Sequence, residues 1–197
     1  MKKVLNKYMG LEEMEVVRQW FLENCVRKEI PKGSFFFREG DIKHYVGYIE
    51  TGSFRYLKLN INKNQEQIVG YSFENDFVTD YGSLQQQESA VTSAQAIKDS
   101  VIWMTSAEKL NQFYQNCGVE NLRAIASEVL YADMYDRLLS LYVDSPKERY
   151  FKLIEKFPNI LNLVTLKEIA SFIKVTPETL SRIRRNVKQH TNKHENI

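Results

Sequence analysis

The chain has 197 residues and 43% hydrophobic content, enough for one large or two small domains with real cores. It contains no apolar run of 18 residues, and residues 1–10 are polar after two lysines. Neither a membrane span nor a signal-peptide core is expected, and the protein should be cytoplasmic. The net charge of +2 hides an asymmetry. Residues 1–144 carry 16 Lys and Arg against 20 Asp and Glu, while residues 145–197 carry 11 against 5. An acidic first part and a basic end suit a regulatory part joined to a part that meets nucleic acid.

Residues 1–28 read as helical, with Leu11, Met14, Val17, Trp20, Phe21 and Val26 near helical spacing before Pro31-Lys32-Gly33 ends the pattern. From residue 34 to about 106 the texture changes. Short apolar and aromatic runs at 35–37, 45–49, 54–59, 67–73 and 101–104 alternate with turn residues. Many short strands at regular spacing predict a β jelly roll. Gly40 and Gly52 fall at corners where a positive φ is cheap only for glycine. The period then returns to helical, with a short helix over 109–115 and a long one over 119–143. On the long helix Leu122, Ile125, Val129, Ala132, Tyr135 or Asp136, and Leu139 approximate a three–four repeat, flanked by Leu130, Leu138 and Leu141. That stripe either packs on the barrel or forms a seam with a second copy, and the seam is favoured. Asp144-Ser145-Pro146 reads as a hinge, followed by a helix over 146–157 stopped at Pro158.

Residues 165–188 carry the strongest local signal. Thr165 with Glu168 makes a capping box, and Leu166, Ile169, Ala170 and Ile173 share one apolar stripe. Lys174-Val175-Thr176 breaks the stripe; Thr176 is a good N-cap, Pro177 suits the first helical position and Glu178 the second. Leu180, Ile183 and Val187 form the inner face of a second helix rich in arginine. A helix pair of this kind can lay its second member in a DNA major groove. There arginine grips guanine with two hydrogen bonds and glutamate accepts from cytosine. A plain amphipathic helix pair with a solvated basic face is the competing reading. From residue 186 the tail is polar and leaves little room for a β-wing.

The order of these parts resembles the Crp/Fnr family of bacterial transcription regulators. Phe37-Arg38-Glu39-Gly40-Asp41, the stretch from Tyr48 to Arg55, Asn75-Asp76-Phe77, and Ile169-Ala170 with Thr176-Pro177-Glu178-Thr179-Leu180-Ser181-Arg182 carry the likeness. The resemblance implies an α+β chain divided into a cyclic-nucleotide-binding-like jelly-roll domain over 1–118, a dimerisation helix and hinge over 119–144, and a winged-helix-like helix-turn-helix domain over 145–197. It puts Glu178 and Arg182 at base-reading positions and Thr179 at a phosphate, with Ser181 close by and Thr176 at the head of the helix. Arg185 and Lys188 join as phosphate contacts on charge alone, as does Arg184. Pro177 stands where family members often carry another polar residue, so the operator is expected to differ.

The ligand cassette departs from the family pattern. Family members that bind cyclic nucleotides hold the phosphate with an arginine, but no arginine occurs between Arg55 and Arg123. Ala90 and Val91 stand about where that arginine and its neighbour belong, and Asp80 stands near the family's ribose-binding glutamate. A buried phosphate without a cation would be poorly compensated. Cyclic AMP is therefore not expected as the signal. Either the ligand role is lost, or a neutral or cationic effector meets Asp80, Tyr81 and Thr92. Cys25 and Cys117 have no metal-like spacing, and His44, His190 and His194 form no cupin-like cluster, so no metal, cofactor or enzymatic activity is expected. The leading reading is a homodimeric DNA-binding regulator with double-stranded DNA, and in turn RNA polymerase, as partners. The alternative is a ligand-binding or protein-interaction module whose DNA-binding part is vestigial.

Overall fold

Short strands with runs of buried apolar side chains build the first half of the chain. The computed structural model describes residues 5–42, 45–118 and 121–194, together with the side chains outside 63 and 187–194. Two compact units divide between Asp133 and Met134.

In the first unit, helix α1 (Met14–Asn24) precedes strands β1 (Val26–Ile30), β2 (Phe35–Phe37), β3 (Tyr45–Thr51), β4 (Ser53–Asn60), β5 (Gln65–Phe73) and β6 (Phe77–Val78). A short helix α2 (Tyr81–Gln86) is followed by β7 (Ser93–Ala96), β8 (Ser100–Ser106) and α3 (Ala107–Asn116). The strands form two four-stranded antiparallel sheets, ordered β1-β8-β3-β6 and β2-β7-β4-β5. This is the jelly roll expected from the aromatic runs. The helical reading of residues 1–28 holds as α-helix only over Met14–Asn24: Lys7–Gly10 is a 3-10 turn, and Val26, Arg27 and Lys28 open β1 instead of extending the helix.

Between the sheets lie Ile30, Ile49, Phe54, Val78, Ala94, Ala96 and Ile102. Each large apolar side chain removed from water here contributes roughly 1.5–3 kcal/mol. A second cluster covers the outer side of the first sheet, where Met14, Val17 and Phe21 of α1 meet Val46, Tyr48, Leu110 and Leu122. At the β3–β4 corner Gly52 has φ +116°, and a Cβ there would collide with Ser100, reaching its Cα at 2.7 Å. No other residue fits that corner without moving β8.

A buried carboxylate ties the first residues to the barrel. Asp76, 6% exposed, accepts hydrogen bonds from Tyr8 Oη (2.6 Å), Asn6 Nδ2 (2.5 Å) and the Phe77 amide (2.7 Å). Burial pushes its pKa up to about 6, against the pull of these donors. The folded value exceeds the unfolded one, so the group's stabilising contribution is full below about pH 4 and is lost as pH rises through about 6. One pKa unit is worth about 1.4 kcal/mol. Asp76→Asn removes this titration. Relative to wild type it should gain roughly 2–3 kcal/mol of unfolding free energy between pH 4 and 7, read from urea melts at several pH values. A wild type that gains on the variant over that interval shows the ionised carboxylate to be the stabilising form.

Helix α4 (Leu122–Val143) leaves the barrel and runs into the second unit. Leu122 is buried in the outer cluster. Tyr131, Met134, Tyr135, Leu138, Leu139, Leu141, Tyr142 and Val143 are exposed, Tyr142 by 81%. The stripe read from the sequence is therefore split: its start packs on the barrel, and its later apolar residues face solvent.

The second unit adds α5 (Pro146–Lys156), α6 (Ile160–Leu163), α7 (Leu166–Phe172) and α8 (Pro177–His194). Tyr150, Leu153, Ile160, Val164, Ile169, Ala170, Phe172, Leu180 and Ile183 form its core. The polar tail is helical as far as His194, and no strand occurs among the described residues of this unit. Among the described residues no helix is long and apolar enough to cross a membrane, and no group of His, Cys, Asp and Glu could hold a metal ion. His44 lies outside the described residues.

Candidate nucleic-acid interface

Local chemistry fixes the α7–α8 pair before any tertiary contact is considered. The Thr165 hydroxyl accepts from the Glu168 amide (3.3 Å), and the Glu168 carboxylate accepts from the Thr165 amide (2.9 Å), closing the expected capping box. At the other end of α7, the Val175 amide donates to Ala170 O (2.9 Å) and the Lys174 amide to Ser171 O (3.2 Å). These two bonds make a Schellman turn, with Lys174 at φ +57° where glycine is usual. Thr176 then caps α8, accepting from the Thr179 amide at 3.2 Å and donating to Thr179 Oγ1 at 3.1 Å. Pro177 occupies the first helical position, where its missing N–H has no bond to lose.

Arg149 holds this turn from α5. Its guanidinium donates to Ile173 O (2.9 Å), Asp144 O (2.5 Å) and Lys174 O (3.5 Å), carbonyls that close α7 and α4. Helix C-termini leave such carbonyls without intrahelical donors and carry partial negative charge. Asp144 is itself fastened by Lys152 Nζ (2.6 Å) and by the Ser140 hydroxyl. The Lys152 ammonium first, and Ser140 second, hold its carboxyl below the usual range. The junction read as a hinge is thus strapped on both sides. Arg137 over the Phe172 ring (3.9 Å) adds a further link from α4 to α7. Nothing in the sequence pattern marks Arg149, because its partners are backbone carbonyls.

Along α8 each residue turns about 100°, so residues 178, 181, 182 and 185 share one face while 180 and 183 point the opposite way. Leu180 and Ile183 are buried, as the spacing requires. Glu178, Ser181, Arg182 and Arg185 are exposed, and Thr179 is half-buried on the flank. Among the described residues neither Arg182 nor Arg185 makes an ion pair. Glu178 is held below the usual carboxyl range by its own backbone N–H first and by the Thr176 side chain second, so it is an ionised acceptor. Thr176 belongs to the same end but spends its hydroxyl on the cap. The side chain of Lys188 lies outside the described residues.

Beside this face runs a groove of about 420 Å³ lined by Ser145, Pro146 and Lys147 at the start of α5 and by Thr179, Arg182, Ile183 and Asn186 on α8. Lys147 therefore adds an exposed cation that sequence reading missed. Its separation in sequence from the arginine run hid it.

In the first unit, the three residues expected to meet an effector are only partly together. One Asp80 oxygen accepts from the Val91 amide (2.9 Å), the Thr92 amide (3.0 Å) and the Thr92 hydroxyl (2.9 Å). Tyr81 instead pairs its hydroxyl with Ser127 Oγ on α4 (2.5 Å). Ala90, which stands about where the resemblance puts the family's arginine, is 4% exposed.

No curated protein is matched by the sequence. Similar solved folds include FixK2 from Bradyrhizobium japonicum, 17% identical over 85% of this chain and 86% of that one, with a TM-score of 0.70. The c-di-GMP responsive global regulator CLP of Xanthomonas campestris is 15% identical over 90% and 92% of the two chains, with a TM-score of 0.65. A putative transcriptional regulator of the Crp/Fnr family from Eubacterium rectale is 15% identical over 93% and 87%, with a TM-score of 0.63. At these identities the likeness is one of fold. Residues 27–117 match the cyclic nucleotide-binding domain, and the chain as a whole shares the α+β fold of Crp/Fnr-type regulators.

Proposed function

We propose that the protein is a homodimeric, sequence-specific DNA-binding transcription regulator of the Crp/Fnr type, with cyclic AMP not its signal. The observation that carries this reading is the α8 face. Glu178, Ser181, Arg182 and Arg185 stand exposed on one side of a helix whose entry is fixed by two caps and an arginine clamp. Rigid support matters because base edges are read by hydrogen bonds with narrow geometry.

In this reading Glu178 and Arg182 meet base edges, while Thr179, Arg185, Lys188 and Lys147 neutralise or contact phosphates. The apolar stripe from Tyr131 to Val143 faces a second copy of the chain. A helix of this length spans about 33 Å, and its exposed apolar residues carry no charge among them. The dimer would set two α8 helices into successive major grooves about 34 Å apart. Residues 1–118 then form the regulatory domain, 119–144 the dimerisation helix and 145–197 the DNA-binding domain. On a promoter, RNA polymerase is the partner through which binding changes transcription.

Selection of bound sequences from random duplex DNA tests the reading. Two inverted half-sites with centres about 10–10.5 base pairs apart are expected. A protein that enriches no sequence even at low salt is not such a regulator.

A further inference from the structure

We propose that the Asp80 carboxylate is the built-in occupant of the barrel's anion site, so the loop over residues 90–92 is closed by the chain itself and needs no anionic effector. This goes beyond the reading of α8 and does not depend on it.

Three donors converge on one oxygen of Asp80: two successive backbone amides and the hydroxyl of Thr92. Successive amides aimed at one point make a concavity suited to an anion, and hydrogen bonds to an ionised acceptor are the strong ones. Here that point already holds a negative charge. The domain family matched by residues 27–117 is named for binding cyclic nucleotides, whose phosphodiester is an anion. A phosphate could reach these amides only by displacing a carboxylate carried on the same chain.

The surrounding groups are also spent. Both backbone groups of Ala90 are bonded, its amide to Asp41 O and its carbonyl to the Gly40 amide, each at 2.8 Å. Lys58 Nζ reaches the loop at Val91 O (2.8 Å) but is paired with Glu39 Oε1 at 2.5 Å. No arginine occurs between Arg55 and Arg123 to tip the balance toward phosphate. The attachment continues to α4, because the residue after Asp80 is the Tyr81 that pairs with Ser127. Loop closure and the seating of α4 therefore share two adjacent residues.

Inorganic phosphate, with chloride at equal ionic strength as control, is the probe. In the wild type the NMR amide signals of Val91 and Thr92 should not move with phosphate, and both amides should resist hydrogen exchange. In Asp80→Ala the same amides should exchange roughly ten-fold faster or more, and their signals should shift saturably as phosphate fills the emptied site. Saturable shifts in the wild type would overturn the proposal, as would a folded Asp80→Ala protein whose amides ignore phosphate. Should Asp80→Ala not fold, the wild type still decides: unprotected Val91 and Thr92 amides refute the internal anion. Asp80→Asn, which keeps an acceptor without the charge, should then show intermediate protection.

Discussion

Arg182→Ala should weaken binding to the selected operator by about 1–3 kcal/mol per half-site, and therefore by roughly 30-fold or more for a dimer that loses the contact twice. Thermal unfolding should stay within the range of a neutral surface change. The side chain is exposed, it makes no ion pair among the described residues, and its removal opens no core. Fluorescence anisotropy at one fixed salt concentration reads the first effect, and calorimetry the second. The pattern of loss matters as much as its size. Removing a base contact should relax sequence preference at one position of each half-site. Arg185→Ala or Lys147→Ala should weaken all sequences alike and reduce the salt slope by about one per phosphate contact. If Arg182→Ala binds its operator as tightly as wild type, with the same preferences, base reading by this residue is wrong and the vestigial reading gains.

The second large effect concerns α4. Leu138→Glu combined with Tyr142→Glu places two like charges on one exposed apolar stripe, one helical turn apart. Sedimentation should then report a monomer. Neither side chain belongs to the buried cores, so the circular dichroism of the variant should match that of wild type. Operator affinity should fall by about 10²–10⁴-fold, because joined readers bind their second half-site at high effective concentration and separate ones do not. A double variant that stays dimeric places the seam elsewhere.

Much of the architecture follows from patterns that a sequence carries openly. The runs at 35–37, 45–49, 54–59, 67–73 and 101–104 all lie in strands, because short aromatic and β-branched runs bounded by turn residues suit strands. Strand β1 escaped because Val26-Arg27-Lys28-Glu29-Ile30 buries only its last residue and shows no two-residue period. Strand β7 escaped because Ser93-Ala94-Gln95-Ala96 has no aromatic, β-branched or large apolar side chain, and β6 because it has two residues. On α7 and α8 the caps, the proline and the 3.6-residue period were all legible, since each acts within a few residues. Arg149, Lys147 and the fate of Asp80 were not. Arg149 and Asp80 bond to backbone groups far along the chain, and Lys147 joins the α8 groove only through packing. Asp80 and Thr92 were both singled out, yet only the fold reveals that they hold each other.

The strapping of Asp144 has a mechanical consequence. With its side chain held by Ser140 and Lys152 and its carbonyl by Arg149, the last turn of α4 is tied to α5 by these contacts. The same guanidinium reaches the turn that launches α8. The end of α4, α5 and the α7–α8 pair thus behave as one lever with a welded elbow. A roll of the final turn of α4 is thereby linked to α8 through shared hydrogen bonds. Cutting the weld, not softening the residues around it, is what would let the two ends swing apart.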